Sequence, residues 1–425
     1  MNYRQAWKFI NDAYTGDNGF YDGGEIDKYT RETDDKIRNR REIAYYSNLF
    51  ESKVNRYIGY LYKRPPLRNV SKNKLLEGFI NNCNNKGDHL DVFMNQFTKF
   101  AKAKGVNILL IDNVAEIPGT FEEQLEKRAY PYIQQIKPEN ITNYKLDEFG
   151  NFEFVAFKDA LDESTYQKKD TKNVIRYFDK TTWVIYDQSG EKILDNGEHD
   201  LGVCPVIYFS EKGEFESLGE FSKLAWLSKR HYNLHSEQDE QLRGNTFSIL
   251  TINGSANSEI KLSTDNALFY EGQKAPSFIA PPSDPMAAYS EKIDKLEMLM
   301  DKIGYDITTS KSAESGISLD IKFQGLNSSL SAFARSVEIF EMKIFNIVKK
   351  YLGIETEVNI AYKKDFNLVD VHKELETLKM VDDIADIPTY RALKLKQIIK
   401  SDLQNVTDEE MAQIIAEIED SQKEV

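Results

Sequence analysis

Leu330, Phe333, Val337, Phe340, Ile344, Ile347 and Tyr351 follow one another at spacings that alternate between three and four residues, which draws one apolar stripe down about six turns of helix. Arg335, Glu338, Glu341 and Lys343 fall between them. A second stripe, Tyr289, Ile293, Leu296, Met300 and Ile303, runs through a segment whose other positions include Glu291, Lys292, Asp294, Lys295 and Asp301. Both patterns predict amphipathic helices, and each needs an apolar surface to lie against. Phe221, Leu224, Ala225, Tyr232 and Leu242 mark a further helix over Leu218–Asn245. Its middle, His235 to Gln241, is expected to be too polar for burial inside one protomer.

The same reading predicts a helix from Asp34 to Tyr62, stopped by Pro65 and Pro66, and another over Leu90–Lys102. Lys36, Arg38, Arg40 and Arg41 at the start of the first are read as a face that pairs with acidic neighbours. From Gly105 the period changes. Val106–Ile111 is a continuous apolar run, and Tyr130–Ile136, Ile141–Leu146, Phe152–Lys158, Val174–Phe178 and Trp183–Tyr186 follow as short β-like runs, closed by Leu201–Phe209. This predicts a mostly antiparallel β region over Gly105–Ser210, and an α+β fold class for the whole. Strand-like runs then flank Asn253-Gly254 between two helices. Thr308–Asn327, dense in Ser, Thr and Gly, is expected as a loop. Beyond Leu352 come a strand over Glu357–Tyr362 and a helical tail, where Thr407 to Glu410 forms a capping box.

Composition narrows the function more than the fold. With 40% hydrophobic and 29% charged residues, the chain has the make-up of a soluble globular protein, and its 425 residues suffice for two or three cores. No apolar run approaches the ~18 residues of a membrane span, and no signal-peptide segment is expected at the start. Two cysteines, Cys83 and Cys204, are expected as buried thiols in a reducing compartment. Against 69 acidic residues stand 55 basic ones, a net charge of −14, which disfavours a generic DNA binder because such proteins neutralise phosphates with cations.

Candidate chemistry is sparse. There is no phosphate loop of the Gly-x-x-x-x-Gly-Lys-Ser/Thr kind and no dinucleotide-binding Gly-x-Gly-x-x-Gly. His231 and His235 lie four apart on a predicted helix and could share a metal, but Tyr232 stands where a metalloprotease helix needs its general-base glutamate. Ser71 and Lys74 match a Ser-x-x-Lys pattern without its companion motifs. An enzyme is therefore not expected. The two rival readings are a metal-dependent hydrolase using His231, His235 and a nearby carboxylate, and a monomeric protein-binding adaptor.

Taken in order, certain pieces resemble the portal proteins of tailed double-stranded DNA bacteriophages. They are the first helix ending Tyr57-Ile58-Gly59-Tyr60-Leu61-Tyr62-Lys63-Arg64-Pro65-Pro66, the β region closing with Leu201-Gly202-Val203-Cys204-Pro205-Val206, and the helix–insert–helix of Leu218–Tyr305. Next come Ser315-Gly316-Ile317-Ser318-Leu319 before the long helix, Ile387-Pro388-Thr389-Tyr390 opening a tail helix, and Asp408-Glu409-Glu410 opening another.

The resemblance implies a wing over 1–217, helical to 104 and β-rich from 105, with stem helices over 218–245 and 285–307. It places a β clip over 246–284, a tunnel loop over 308–327, a long wing helix and returning strand over 328–365, and a helical crown over 366–425. It implies a homo-oligomeric ring of twelve at one vertex of the virion, assembled in the host cytoplasm, with double-stranded DNA passing through it. The major capsid protein, the large subunit of the terminase and a head–tail adaptor would be its partners, with no cofactor, metal or membrane. Lys311, Ser315, Gly316, Lys322, Gln324 and Asn327 would face DNA, and Asn253, Gly254, Lys261 and Glu271 would dock partners at the clip.

Overall fold

Helix α1 (Tyr3–Thr15) carries its signals at both ends: Asn2 accepts a hydrogen bond from the Gln5 amide, and Gly16 ends the helix in the left-handed region at φ 80°. Trp7, Ile10, Ala13 and Tyr14 are buried on its inner side. The computed structural model describes residues 2–114, 118–246, 249–251, 277–279, 284–306, 316–366, 371–385, 387–402 and 413–418.

Where periodicity predicts one helix from Asp34 to Tyr62, there are two, α2 (Asp34–Ile43) and α3 (Leu49–Leu61). Contacts with α1 set the break. The Tyr46 hydroxyl donates to the Ala13 carbonyl at 2.6 Å and the Asn48 amide to the Tyr14 carbonyl at 3.0 Å. Asn48, at φ 42°, also accepts from the Glu51 amide and so starts α3 afresh, a cap of a kind that contributes about 1 kcal/mol.

After β1 (Leu67–Asn69), α4 (Lys74–Asn81) and α5 (Leu90–Lys104), Gly105 turns the chain at φ 88° into β2 (Val106–Asp112). A short α6 (Phe121–Glu126) precedes β3 (Tyr132–Ile136), β4 (Ile141–Leu146), β5 (Phe152–Asp162), β6 (Thr171–Phe178), β7 (Thr182–Asp187), β8 (Ile193–Glu198) and β9 (Val206–Ser210). One sheet has the order β3-β2-β9 and the other is a meander, β4-β5-β6-β7-β8. Every pairing among these strands is antiparallel, as the sequence pattern predicts. The apolar pattern does not announce β8, an edge strand that carries Asp195, Asn196 and Glu198.

The chain continues through α7 (Lys223–Thr246), β10 (Ile249–Thr251), β11 (Ser277–Ile279), α8 (Asp284–Ile303) and α9 (Gly316–Leu352) to β12 (Asn359–Ala361), which pairs with β1. One boundary is corrected: of the expected loop 308–327, the part from Gly316 onward is helix. Phe323 and Leu326 continue the stripe of Leu330 and Phe333 at the same alternating spacing, and Leu326 is buried with them.

Strand β2 is buried on both faces, which is why its sequence does not alternate. Val106, Ile108 and Leu110 join Trp7, Phe157 and Phe178 in a core shared by the two sheets. On the other face Asn107 donates to the Phe97 carbonyl at 2.9 Å, and its cross-strand neighbour Phe209 meets Phe333 and Phe340 of α9 edge-on. Phe340 also stacks on Phe97 at 5.0 Å, and Phe345 meets Phe79. The stripe of α9 is thus covered by its own chain.

Residues Met1–Lys364 form one compact unit and Asp365–Val425 another. The second contains α10 (Val371–Ile384), α11 (Pro388–Asp402) and a helical stretch at 413–418. Within it Leu378 and Ile398 are buried, and Arg391 donates to Asp382 at 3.0 Å. The capping box at Thr407 lies outside the described residues. The fold class is α+β.

Candidate functional site

Helices α7 and α8 form an antiparallel pair, and two contacts give the register. His231 Nε2 lies 3.2 Å from a Glu297 carboxylate oxygen, and the Gln238 amide donates to the Ser290 hydroxyl at 2.9 Å. Seven residues forward on α7 therefore correspond to seven residues back on α8. Leu234, Ile293 and Leu296 are buried between the helices, with Leu227 and Tyr289 packed beside them. Beyond the pair, Thr251 faces Ser277 in the β10–β11 ladder, and its hydroxyl donates to the Ser277 carbonyl at 2.9 Å.

Of the polar stretch His235–Gln241 only Ser236 is buried and the rest is half-buried, in keeping with its polarity, and α7 finds polar partners within its own chain. Asn233 accepts from the Asp27 amide at 2.8 Å and donates to the Glu25 carbonyl at 3.1 Å. Buried Ser236 accepts from Arg40 at 3.1 Å, while Arg40 holds both oxygens of Glu32 at 2.9 Å. Lys36 reaches Glu240 at 3.3 Å and Arg38 pairs with Asp35, so the basic start of α2 is satisfied by acidic neighbours as expected. Hydrogen-bonded polar groups of this kind are buried at little net cost, so Asn233 and Ser236 can lie inside while the polar residues that follow stay half-exposed.

Two ionic clusters fix the ends of the pair next to the body. Lys53 of α3 donates to Asp306 at 2.8 Å and also binds Asp301, while Arg56 pairs with the same oxygen of Asp306. Just before α7, the Lys102 ammonium sits 4.5 Å and 4.6 Å from the ring centres of Tyr57 and Phe221 and 5.2 Å from that of Phe333. Glu211 neutralises it at 2.5 Å, which makes a desolvated cation–π box.

Midway along the pair, three metal-ligating groups converge. His235 Nε2 lies 3.1 Å from His231 Nε2, the same atom that meets Glu297. The His231 side chain is only 5% exposed, that of Glu297 37%. Burial holds the His231 imidazole below its ordinary pKa, with His235 acting in the same sense and Glu297 in the opposite one. The i, i+4 histidines are legible in the sequence. Glu297 is not, because it reaches them only through the α7–α8 register.

The other anticipated residues scatter. Asn253, Gly254, Lys261, Glu271, Lys311 and Ser315 lie outside the described residues. Gly316 opens α9, Lys322 and Gln324 are exposed on it, and Asn327 is half-buried. Cys83 and Cys204 are buried free thiols, each pushed up to about 12 by burial and so poor nucleophiles. Ser71 donates to the Glu357 carbonyl, a surface-loop contact.

Residues 220–352 match a family described as a domain of unknown function, DUF4055. The matched span runs from just before α7 to the last residue of α9. No curated protein matches the chain.

Proposed function

We propose that this chain is the protomer of a phage portal, a ring-shaped channel at one capsid vertex through which double-stranded DNA enters during packaging and leaves at infection. The observation that carries the reading is the antiparallel α7–α8 pair joined to a β-rich body, continued by the β10–β11 ladder and followed by a helix of 37 residues. That is the order of stem, clip, stem and wing helix which the resemblance implies. The net charge of −14 supports it, since a conduit must not hold a polyanion. Leu242, Met298, Leu299 and Ile339 are apolar yet exposed on α7, α8 and α9, and neighbouring subunits would cover such groups.

In this reading twelve copies close the ring, the clip at 246–284 receives first the terminase and later the head–tail adaptor, and the wing meets the major capsid protein. Of the segment 308–327, the helical part presents Lys322 and Gln324 toward DNA. The protein performs no covalent chemistry. Light scattering on a sizing column, with negative-stain microscopy, tests the proposal: closed rings of roughly half a megadalton or more are expected. A stable monomer at micromolar concentration would overturn it.

The second reading, a metal-dependent hydrolase, is favoured by the convergence of Glu297 on His231 and His235. Against it, buried Tyr232 occupies the place of the general base. It predicts chelator-sensitive hydrolysis by the unassembled chain.

A further inference from the structure

The hydrogen-bond arithmetic at His231 does not close on protein atoms alone. Its Nε2 has a carboxylate oxygen at 3.2 Å and a second imidazole nitrogen at 3.1 Å, yet a ring nitrogen carries at most one proton. If that proton goes to Glu297, the His235 nitrogen must share it or turn its own hydrogen aside. If His235 donates instead, the lone pair of His231 is filled and the carboxylate faces it with no hydrogen between. Three electron-pair donors that crowd one point are what a cation resolves.

We infer that His231 Nε2, His235 Nε2 and a Glu297 carboxylate oxygen form a divalent transition-metal site of the zinc class that clasps α7 to α8. Tetrahedral coordination at about 2.0–2.1 Å places neighbouring ligand atoms about 3.3 Å apart. The two measured edges, 3.1 and 3.2 Å, are close to that value, and all three ligand atoms lie within 4.8 Å of one another. Closing the third edge to that length would take a turn of the Glu297 side chain. Glu297 is partly exposed, so water has access to complete the shell. His231 and His235 flank Leu234 in sequence and Glu297 follows Leu296, residues buried in one apolar cluster, so the ion would lock two helices already packed. Two imidazoles favour zinc, cobalt, nickel or copper over magnesium or calcium, which prefer all-oxygen shells. Neutral imidazole is the ligating form, and burial, which lowers the pKa of His231, favours that form.

The inference does not depend on ring formation, and its test reads the metal directly. The full-length chain, stripped with chelator, is titrated with Co²⁺ and the visible absorption followed, then back-titrated with Zn²⁺ and with Mg²⁺. One Co²⁺ per chain with the intense bands of tetrahedral coordination is expected, displaced by Zn²⁺ but not by Mg²⁺. His235→Ala and Glu297→Gln should each weaken binding at least ten- to hundred-fold, the range that loss of even an outer-shell partner causes. Glu297→Gln alters a partly exposed side chain and preserves its shape, so it serves if His235→Ala misfolds. Absence of stoichiometric binding, or wild-type affinity in a folded variant of either kind, overturns the assignment and leaves a His–His–Glu cluster that holds no metal.

Discussion

The Tyr362 hydroxyl donates to the Glu341 carboxylate at 2.5 Å in a site where both side chains are buried, and Arg68 grips the same carboxylate through both of its oxygens. Arg68 also binds Asp91 of α5, so a single guanidinium ties the chain around β1 to α5 and α9. A buried pair gains little over an apolar substitute, but removal of one partner strands the other charge. Arg68→Ala should therefore destabilise the first unit by about 3–5 kcal/mol, read as a shift in the urea midpoint. A loss below about 1 kcal/mol, the range of surface pairs, would mean that Glu341 is hydrated.

Gly105 is the second position of high sensitivity. Its φ of 88° is strained for any residue with a side chain, and an added Cβ would stand 1.9 Å from the Gly219 amide nitrogen. The obstacle is backbone and cannot rotate away. Gly105→Ala should separate the end of α5 from the segment that leads to α7 and greatly reduce soluble, folded protein, as judged by circular dichroism and thermal melting. Gly59→Ala, where nothing lies within 4 Å of the added carbon, is the matched control and should melt like the parent.

Tyrosine ionisation gives a prediction in pH. Burial, the leading cause in each case, pushes Tyr132, Tyr144, Tyr177 and Tyr232 up to about 12. The unfolded chain releases these protons near 10, so between about 10 and 12 the native state binds more protons than the unfolded one. Stability associated with them is complete below pH 10 and is lost as pH rises toward 12. Near-ultraviolet absorbance at pH 11 should show fewer tyrosinates in the native chain than in the same chain in urea, and equal values would place these hydroxyls in water.

Assembly and folding can be separated on α8 and α9. Phe340 and Ile344 are buried in their own protomer, so Phe340→Asp should abolish the fold itself. Met298 and Leu299, exposed at 56% and 43%, have no such duty. Met298→Glu combined with Leu299→Glu should keep the protomer's melting temperature within a few degrees while lowering the scattering mass if that face lies between subunits. Rings that persist would move the interface to another surface.

Much of the architecture can be read from residue spacing because most of its elements bury one regular face. The stripes of α8 and α9 and the runs of β2 to β7 are examples. The beginning of α9 is misread as loop on its Ser and Gly residues, although Leu319, Phe323 and Leu326 carry the stripe upstream through them. The break at Ala44–Asn48 is not legible, because Tyr46 and Asn48 answer to carbonyls of α1 more than thirty residues away. The partners of Asn233 and Ser236 on α7 are hidden for the same reason: Asp27, Glu25 and Arg40 are remote in sequence. Glu297 joins the two histidines only after a long insert has been spanned and the helices have met in register.

The β10–β11 ladder has a consequence for how this chain can vary. Because Thr251 and Ser277 are held opposite each other, the number of residues that join them does not set their separation. Lengthening a connection between two held ends adds only a slowly growing loop entropy, about 0.6 kcal/mol per doubling. Residues gained or lost between these two positions should therefore leave His231 aligned with Glu297.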